Sequence, residues 1–230
     1  MEDCFVKYTI VGNSFSKPYK IKNKTVEGDV WRFDLIEEGK SWVDIFRLPE
    51  HLMPNKKEFE KLWKLKPEEK GTVIMWGKEV QTPRWVKSYI KNNDFPKEFL
   101  PYLNHINSTN YTKKVREGEK TKFNEAYVNW YLDGSNYIGS HADKIQRLVK
   151  GPNKEVIVYS LTLQEKNTSR TFRLKPIKGG KDRLDITAEH GIVMMMGGQC
   201  QNTHKHQVPK ISDKKAKEYG RRVNITFRMI

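Results

Sequence analysis

From about residue 123 onward the chain reads as short strand candidates separated by Gly, Pro and Asn turns, with no helical pattern between them. The candidates lie near 125–132, 155–163, 170–175, 184–187, 190–196, 204–208 and 221–229. A run of short strands without intervening helices predicts a jelly roll or a sandwich. The fold class expected for the whole chain is α+β, because helical patterns occur only upstream.

Two of these strands carry chemistry. In the first, Ala126, Val128, Trp130 and Leu132 alternate with Tyr127, Asn129 and Tyr131. Alternate residues of a strand point to opposite faces, so one face is apolar and the other bears an amide and two phenols. In the last strand, Val223, Ile225, Phe227 and Met229 share one face, and Arg222, Asn224, Thr226 and Arg228 share the other. A surface edge strand would show the same alternation. If the polar face points into a barrel, its two guanidinium forks can clamp a small carboxylate bidentately.

The N-terminal half is organised differently. Residues 1–50 mix aromatics with turn residues and read as short strands and loops, anchored by Val43, Ile45 and Phe46. Residues 55–66 predict a helix from the spacing of Phe59, Leu62, Trp63 and Leu65, stopped by Pro67. A strand over 72–76 and an aromatic and basic stretch over 82–89 follow. That stretch suits either base stacking with phosphate neutralisation or an inward-packed hairpin. Residues 94–107 predict a second helix with an apolar stripe of Phe99, Leu100, Leu103 and Ile106, and 110–122 reads as a charged loop.

The stretch Ile138-Gly139-Ser140-His141-Ala142-Asp143 places an imidazole and a carboxylate two residues apart. In an extended chain they point to one side, about 6–7 Å apart, and can converge on one ion. A His and a carboxylate completed by a distant His form the facial triad of non-haem Fe(II) oxygenases. His204 and His206 share one face of a later extended segment, and either suits the third position. The alternatives are solvated or structural histidines, or a zinc site that no cysteine is placed to help.

Composition narrows the class of protein. Lys and Arg number 43 against 28 Asp and Glu, a net charge of +15, so an anionic partner is expected and nucleic acid is the first candidate. The alternative is a basic protein that is merely soluble. Cys4 and Cys200 stand far apart without CxxC spacing, which argues against a disulfide framework and fits a reducing compartment. The first residues carry no apolar signal region, and the longest largely apolar run, Val156 to Leu163, is far short of a membrane span. The expected protein is soluble and intracellular, in nucleus or cytoplasm, with no membrane association and no sign of an obligate protein partner.

Taken together, the motifs carry a family resemblance. His141-x-Asp143, the distant His206-Gln207-Val208-Pro209 and the terminal Arg222-x-Asn224-x-Thr226-x-Arg228 resemble the AlkB family of Fe(II)/2-oxoglutarate-dependent dioxygenases. Asn129-x-Tyr131 matches that family's co-substrate contacts. Met75-Trp76-Gly77-Lys78 through Pro83-Arg84 and Tyr89 is similar to the nucleotide-recognition region of its DNA-repair members. The resemblance covers roughly 72–230 and leaves the first 70 residues without a counterpart.

The resemblance implies a double-stranded β-helix (jelly-roll) core over 123–230, with flanking helices. It implies a nucleotide-recognition lid and supporting helix over 71–122, and 1–70 becomes an extension packed on the core. Fe(II) would be bound by His141, Asp143 and His206, the last preferred over His204 because the family ligand lies three residues before the proline. Arg228, with Tyr131 and Asn129, would hold the distal carboxylate of 2-oxoglutarate; Arg222 and Asn224 would serve the end near the metal. Trp76 would fill the gap left by a flipped base, and Arg84 and Tyr89 would stand beside the flipped nucleotide. The implied reaction consumes O2 and hydroxylates an N-methyl group on an alkylated base of DNA or RNA, and the hemiaminal releases formaldehyde. A base in a duplex must be flipped out to react. The basic segments 164–183 (Arg170, Arg173, Lys175, Lys178, Lys181, Arg183) and Lys144 to Lys154 could grip the nucleic-acid backbone, or simply face solvent. Two residues after the metal carboxylate, repair members carry an acidic base contact where this chain has Ile145, so lesion and strand preference stay open. Rival expectations are a non-catalytic nucleic-acid-binding module on the same fold and an oxygenase acting on a protein or small metabolite.

Overall fold

A computed structural model describes residues 4–35, 40–75, 77–92, 94–109, 111, 122–150, 155–165, 168–178 and 180–230. The first strands are β1 (Tyr8–Val11), β2 (Tyr19–Ile21), β3 (Val30–Asp34) and β4 (Ser41–Arg47). Helix α1 (Lys56–Lys64), the hairpin β5 (Thr72–Met75) and β6 (Lys78–Gln81), strand β7 (Trp85–Ile90) and helix α2 (Leu100–Ser108) follow. Then come β8 (Glu125–Tyr131), β9 (Ile138–His141), β10 (Val158–Gln164), β11 (Arg170–Pro176), β12 (Arg183–Ala188) and β13 (Ile192–Gly198). The last elements are the short helix α3 (Cys200–Thr203), β14 (His204–Val208), the short helix α4 (Asp213–Ala216) and β15 (Arg222–Arg228).

The strands build two principal sheets. The larger has the order β2-β3-β4-β13-β10-β15-β8-β7, and the smaller β1-β12-β11-β14-β9; among the described residues, β5 and β6 pair only with each other. Their inner faces meet over one core. Phe33, Val43, Ile45, Val158, Met194 and Met196 come from the large sheet, and Phe172, Leu174, Leu184, Ile186 and Val208 from the small one. This is the expected double-stranded β-helix, with the helices outside it. Residues that alternate along each strand fill this core on one side and serve a second layer on the other.

The second layer lies on the outer face of the large sheet. There Val128, Trp130, Ile225 and Phe227 pack against Phe59 and Leu62 of α1 and Leu103 and Ile106 of α2. A capping box starts α1: the Asn55 side chain accepts from the Glu58 amide at 3.1 Å, and the Glu58 carboxylate accepts from the Asn55 amide at 2.9 Å. The Trp130 indole N–H donates to the Leu62 carbonyl at 3.0 Å, fixing the helix to the sheet.

The first 70 residues do more than pack on a finished core. β4 pairs with β13 through Ile45 and Met194, β3 pairs with β4, and β1 joins the small sheet through β12. Short strands interrupted by turn residues offer too little alternation for this to be read from sequence. Among the described residues, no helix is long and apolar enough to cross a membrane.

Candidate active site

The inner face of β8 and β15 forms a polar strip inside an apolar sandwich. The two strands pair antiparallel from Arg222 opposite Tyr131 to Arg228 opposite Glu125, and β15 also pairs with β10. Directly opposed residues share a face. So Glu125, Tyr127, Asn129 and Tyr131 stand beside Arg222, Asn224, Thr226 and Arg228, with Ser160 and Thr162 on the far side. The terminal alternation is therefore not that of a surface edge strand.

One end of the strip meets the candidate metal residues. His141 on β9 is the direct cross-strand partner of His206 on β14, and the two rings lie 4.3 Å apart between centroids. His206 also stacks on Phe172 at 5.5 Å. The His206 Nε2 lies 4.0 Å from Oδ2 of Asp143, close enough for both to reach one ion. A tight turn after β8 sets this up. The Asp133 side chain accepts from the Ser135 amide at 2.8 Å, and Gly134 lies so close to α4 that a Cβ would come within 3.0 Å of the Ala216 backbone. A carbonyl can only accept, so the 2.9 Å contact between His141 Nδ1 and the Gly139 carbonyl puts the proton on Nδ1 and leaves a lone pair on Nε2. The Asp143 amide donates to the Gln201 side chain at 2.9 Å, fixing the carboxylate's backbone.

The chemistry of these donors suits a divalent ion, although among the described residues no three of them are drawn together as a metal-holding cluster. Asp143 Oδ2 is buried and has no hydrogen-bond partner among the described residues, while the other oxygen accepts from Arg228. Burial drives the His206 pKa down to about 3, helped by the neighbouring His141, whose own value is lowered by burial. Burial also penalises the Asp143 carboxylate, but Arg228 and the two histidines outweigh it and hold its pKa below the usual range. Two neutral imidazoles and one carboxylate, with a buried oxygen left open, are the protonation states a metal requires. His204 shares the face of His206 but points elsewhere: its Nδ1 bonds the Thr203 hydroxyl at 2.8 Å and its ring lies 5.6 Å from Phe15.

The two arginines sit at opposite ends. Arg228 is at the metal end, stacked on Tyr127 at 4.6 Å and bonded to Asp143 and, at 3.4 Å, to Glu125. Arg222 lies six residues back along the strand, about 20 Å at Cα. It is buried, its guanidinium 4.8 Å from the Tyr131 ring, with one bond to the Thr162 hydroxyl at 3.0 Å and Nε and Nη1 without partners. The expectation had these two positions the other way round. Strand β15 runs antiparallel to β8, which brings its C-terminal end to Asp143; sequence alternation does not contain that direction. Asn224 donates to Ser160 and to the Leu161 carbonyl, at 3.0 and 2.9 Å, so its amide hydrogens are held within the sheet.

The candidate substrate residues divide. Arg84 is buried and its Nε donates to Asn129 Oδ1 at 2.6 Å, which puts it in the polar strip. Tyr89 lies on the opposite face. It pairs with Ala126, its ring is 5.4 Å from Phe99, and its hydroxyl donates to the Leu65 carbonyl at 3.1 Å. A side chain of that parity cannot reach the strip, so Tyr89 is corrected to a core contact. Trp76 lies outside the described residues. Ile145 packs half-buried against the inter-sheet core.

The basic segment 164–183 also divides. Arg170 is 2% exposed and cannot grip a backbone in solvent. Arg173 is bidentate to Asp185 at 2.6 and 2.7 Å. Residues 151–154, within the second basic loop, lie outside the described residues. Two residues at the site were not singled out in the sequence: Gln201, and Glu125, which accepts from Arg228 and, at 2.6 Å, from the Ser88 hydroxyl. Of these only Glu125 carried a signal, since it continues the Tyr127-Asn129-Tyr131 alternation by one step.

A family model for the 2OG-Fe(II) oxygenase superfamily matches residues 47–228. Among curated relatives, the chain is 28% identical over 127 residues to DNA oxidative demethylase ALKBH2 of Arabidopsis thaliana, covering 48% of this chain and 38% of that protein. It is 31% identical over 133 residues to alpha-ketoglutarate-dependent dioxygenase alkB homolog 3 of Rattus norvegicus, covering 52% and 40%. These matches thus span less than half the length of either relative. A solved prolyl-4-hydroxylase of Pseudomonas putida is similar in fold, with a TM-score of 0.51 at 14% identity, covering 82% of this chain and 92% of that one. With the family model spanning most of the sequence, the chain belongs to the 2OG-Fe(II) oxygenase superfamily, as an AlkB-like member of a family that uses Fe(II), 2-oxoglutarate and dioxygen.

Proposed function

We propose that this chain is an oxidative demethylase of N-alkylated bases in DNA or RNA, with His141, Asp143 and His206 holding Fe(II). The observation that carries the reading is the polar strip itself. One end holds two neutral histidines and a carboxylate with an open oxygen; the other holds a buried arginine with no carboxylate of the described residues bonded to it.

Fe(II) bound by these three residues would couple decarboxylation of 2-oxoglutarate to hydroxylation of an N-methyl C–H bond. The chain's own groups do the rest. Arg222, with Thr162 and Tyr131, receives the distal carboxylate, and Arg228 orients Asp143 and the 2-oxo acid end. Arg84 is held on Asn129, so the wall facing the reacting end is fixed before a base arrives. The apolar sandwich around the strip keeps the site poor in water, which strengthens each of these charge interactions. The net charge of +15 supports a polyanionic substrate, and so do the relatives' names.

The test is incubation of the full chain with Fe(II), ascorbate, 2-oxoglutarate and oligonucleotides carrying N-methylated bases, read by mass spectrometry. Loss of 14 mass units (about one CH2) per methylated base, with matching succinate, is the expected result. Co-substrate turnover without demethylation of any single- or double-stranded oligonucleotide overturns the nucleic-acid assignment and favours a protein or small-molecule substrate.

A further inference from the structure

Both sheets deliver a buried arginine to the same tyrosine ring. Arg222 of the large sheet lies 4.8 Å from the Tyr131 ring centroid, and Arg170, the first residue of β11 in the small sheet, lies 5.9 Å from it. Each is 2% exposed. Neither guanidinium is hydrogen-bonded to a carboxylate of the described residues. Arg222 donates to the Thr162 hydroxyl, and Arg170 to the backbone carbonyls of Asp133, Asn136 and Pro209 at 3.2, 2.9 and 2.7 Å. The Asp133 carboxylate is itself bonded to Ser135 and Lys217. Among the described residues, the buried Nε atoms of both arginines and Nη1 of Arg222 have no partner.

Two like charges buried against one ring are costly unless an anion sits with them. Burial, and then Arg222, pull the Arg170 pKa down to about 10, so Arg170 still carries its proton at neutral pH. Tyr131 faces both cations with its ring, Arg170 also lies 5.8 Å from the Tyr219 ring, and the Asp133 carboxylate offsets part of the Arg170 charge; the rings supply no full charge. Arg170 is also rigidly held. Its three carbonyl bonds join the turn before β9 to the residue after β14, the two segments that carry His141 and His206.

We infer that Arg170 is a second cation of the far-end carboxylate site, so that the pocket selects a 2-oxo acid with a second carboxylate through two guanidiniums rather than one. The inference rests on the pocket reading proposed above. Arg222 provides the direct hydrogen bonds. Arg170 adds charge from the opposite sheet and keeps the site's net charge positive until the co-substrate enters.

The experiment measures dissociation constants on the full chain loaded with Mn(II), for 2-oxoglutarate and for 2-oxobutyrate, which lacks the distal carboxylate. Arg170→Met is expected to weaken 2-oxoglutarate binding about ten-fold and to leave 2-oxobutyrate binding unchanged, because only the former presents a charge to that end. Arg170→Lys keeps the charge and is expected to restore most of the affinity. Equal weakening of both ligands by both variants makes Arg170 a structural clamp only and overturns the inference, as does unchanged 2-oxoglutarate binding in Arg170→Met. Arg222→Met separates the two claims. If it weakens 2-oxoglutarate binding and Arg170→Met does not, only the second cation is lost; if neither variant weakens it, the pocket reading falls as well.

Discussion

His141 and His206 are direct cross-strand partners at the edge of the small sheet, with ring centroids 4.3 Å apart. One comes from a four-residue strand and the other from a strand more than sixty residues later. Antiparallel pairing brings opposed side chains close on one face, so the register of a single ladder fixes the spacing of two candidate ligands. The third, Asp143, follows immediately and is held by Gln201 and Arg228.

The ladder gives a prediction about which histidine binds metal. His206→Ala and Asp143→Ala are expected to lower Fe(II)-dependent turnover by more than about a hundred-fold, as each removes one of the three proposed ligands. His204→Ala keeps the ligand set and is expected to retain metal. Titration of each variant with Co(II), followed by its visible absorption, checks this independently of activity. A His206→Ala protein that still binds Co(II) like the parent, beside a His204→Ala protein that does not, reverses the assignment.

The placement of the two arginines separates their expected kinetics. Arg222→Met is expected to raise KM for 2-oxoglutarate about ten-fold or more with a smaller change in kcat, since it removes binding far from the reacting end. Arg228 touches both Asp143 and Glu125, so Arg228→Met is expected to lower kcat and metal affinity together. Steady-state kinetics at saturating and limiting 2-oxoglutarate distinguish the two patterns. Identical patterns for the two variants contradict the assignment of ends.

Much of this was legible in the sequence because it is local. The alternation in β8 and β15 named the polar strip, and β14 matches its expected span of 204–208. What was missed depends on partners distant in sequence. β9 contains Gly139 and Ser140 and has little intrinsic strand character; its pairing with β14 makes it a strand. The ends to which Arg222 and Arg228 belong follow from strand direction in the assembled sheet. Arg170 looked like one more member of a basic run, because counting charges carries no information on burial.

Tyr89 gives a prediction in which activity should not change. Its hydroxyl donates to the Leu65 carbonyl from the outer face of the large sheet. Tyr89→Phe removes that bond and keeps the ring against Phe99, so a stability loss of about 1 kcal/mol is expected. Turnover in the proposed demethylase assay is expected to match the parent's within two-fold. Denaturant unfolding and the mass-spectrometric assay on the same preparation measure both quantities, and a large loss of turnover with unchanged stability would return Tyr89 to the substrate site.

His204 predicts how stability depends on pH. Burial next to Phe15 lowers its pKa from 6.5 to about 4 in the folded protein. As pH falls from 7, the unfolded chain takes up this proton near 6.5, whereas the folded protein resists it until about 4. The unfolded state therefore binds more protons across that window, and the His204 contribution is present above about pH 6.5 and lost progressively down to about pH 4. The loss attributable to this one ring is of order 2 kcal/mol between pH 7 and 4.5. His204→Gln is expected to be less stable than the parent at pH 7 but to lose less stability on acidification. Urea unfolding of the metal-free protein at pH 7, 6, 5 and 4.5 provides the comparison. Parallel pH profiles for parent and variant would mean that the His204 ring titrates alike in the folded and unfolded chains.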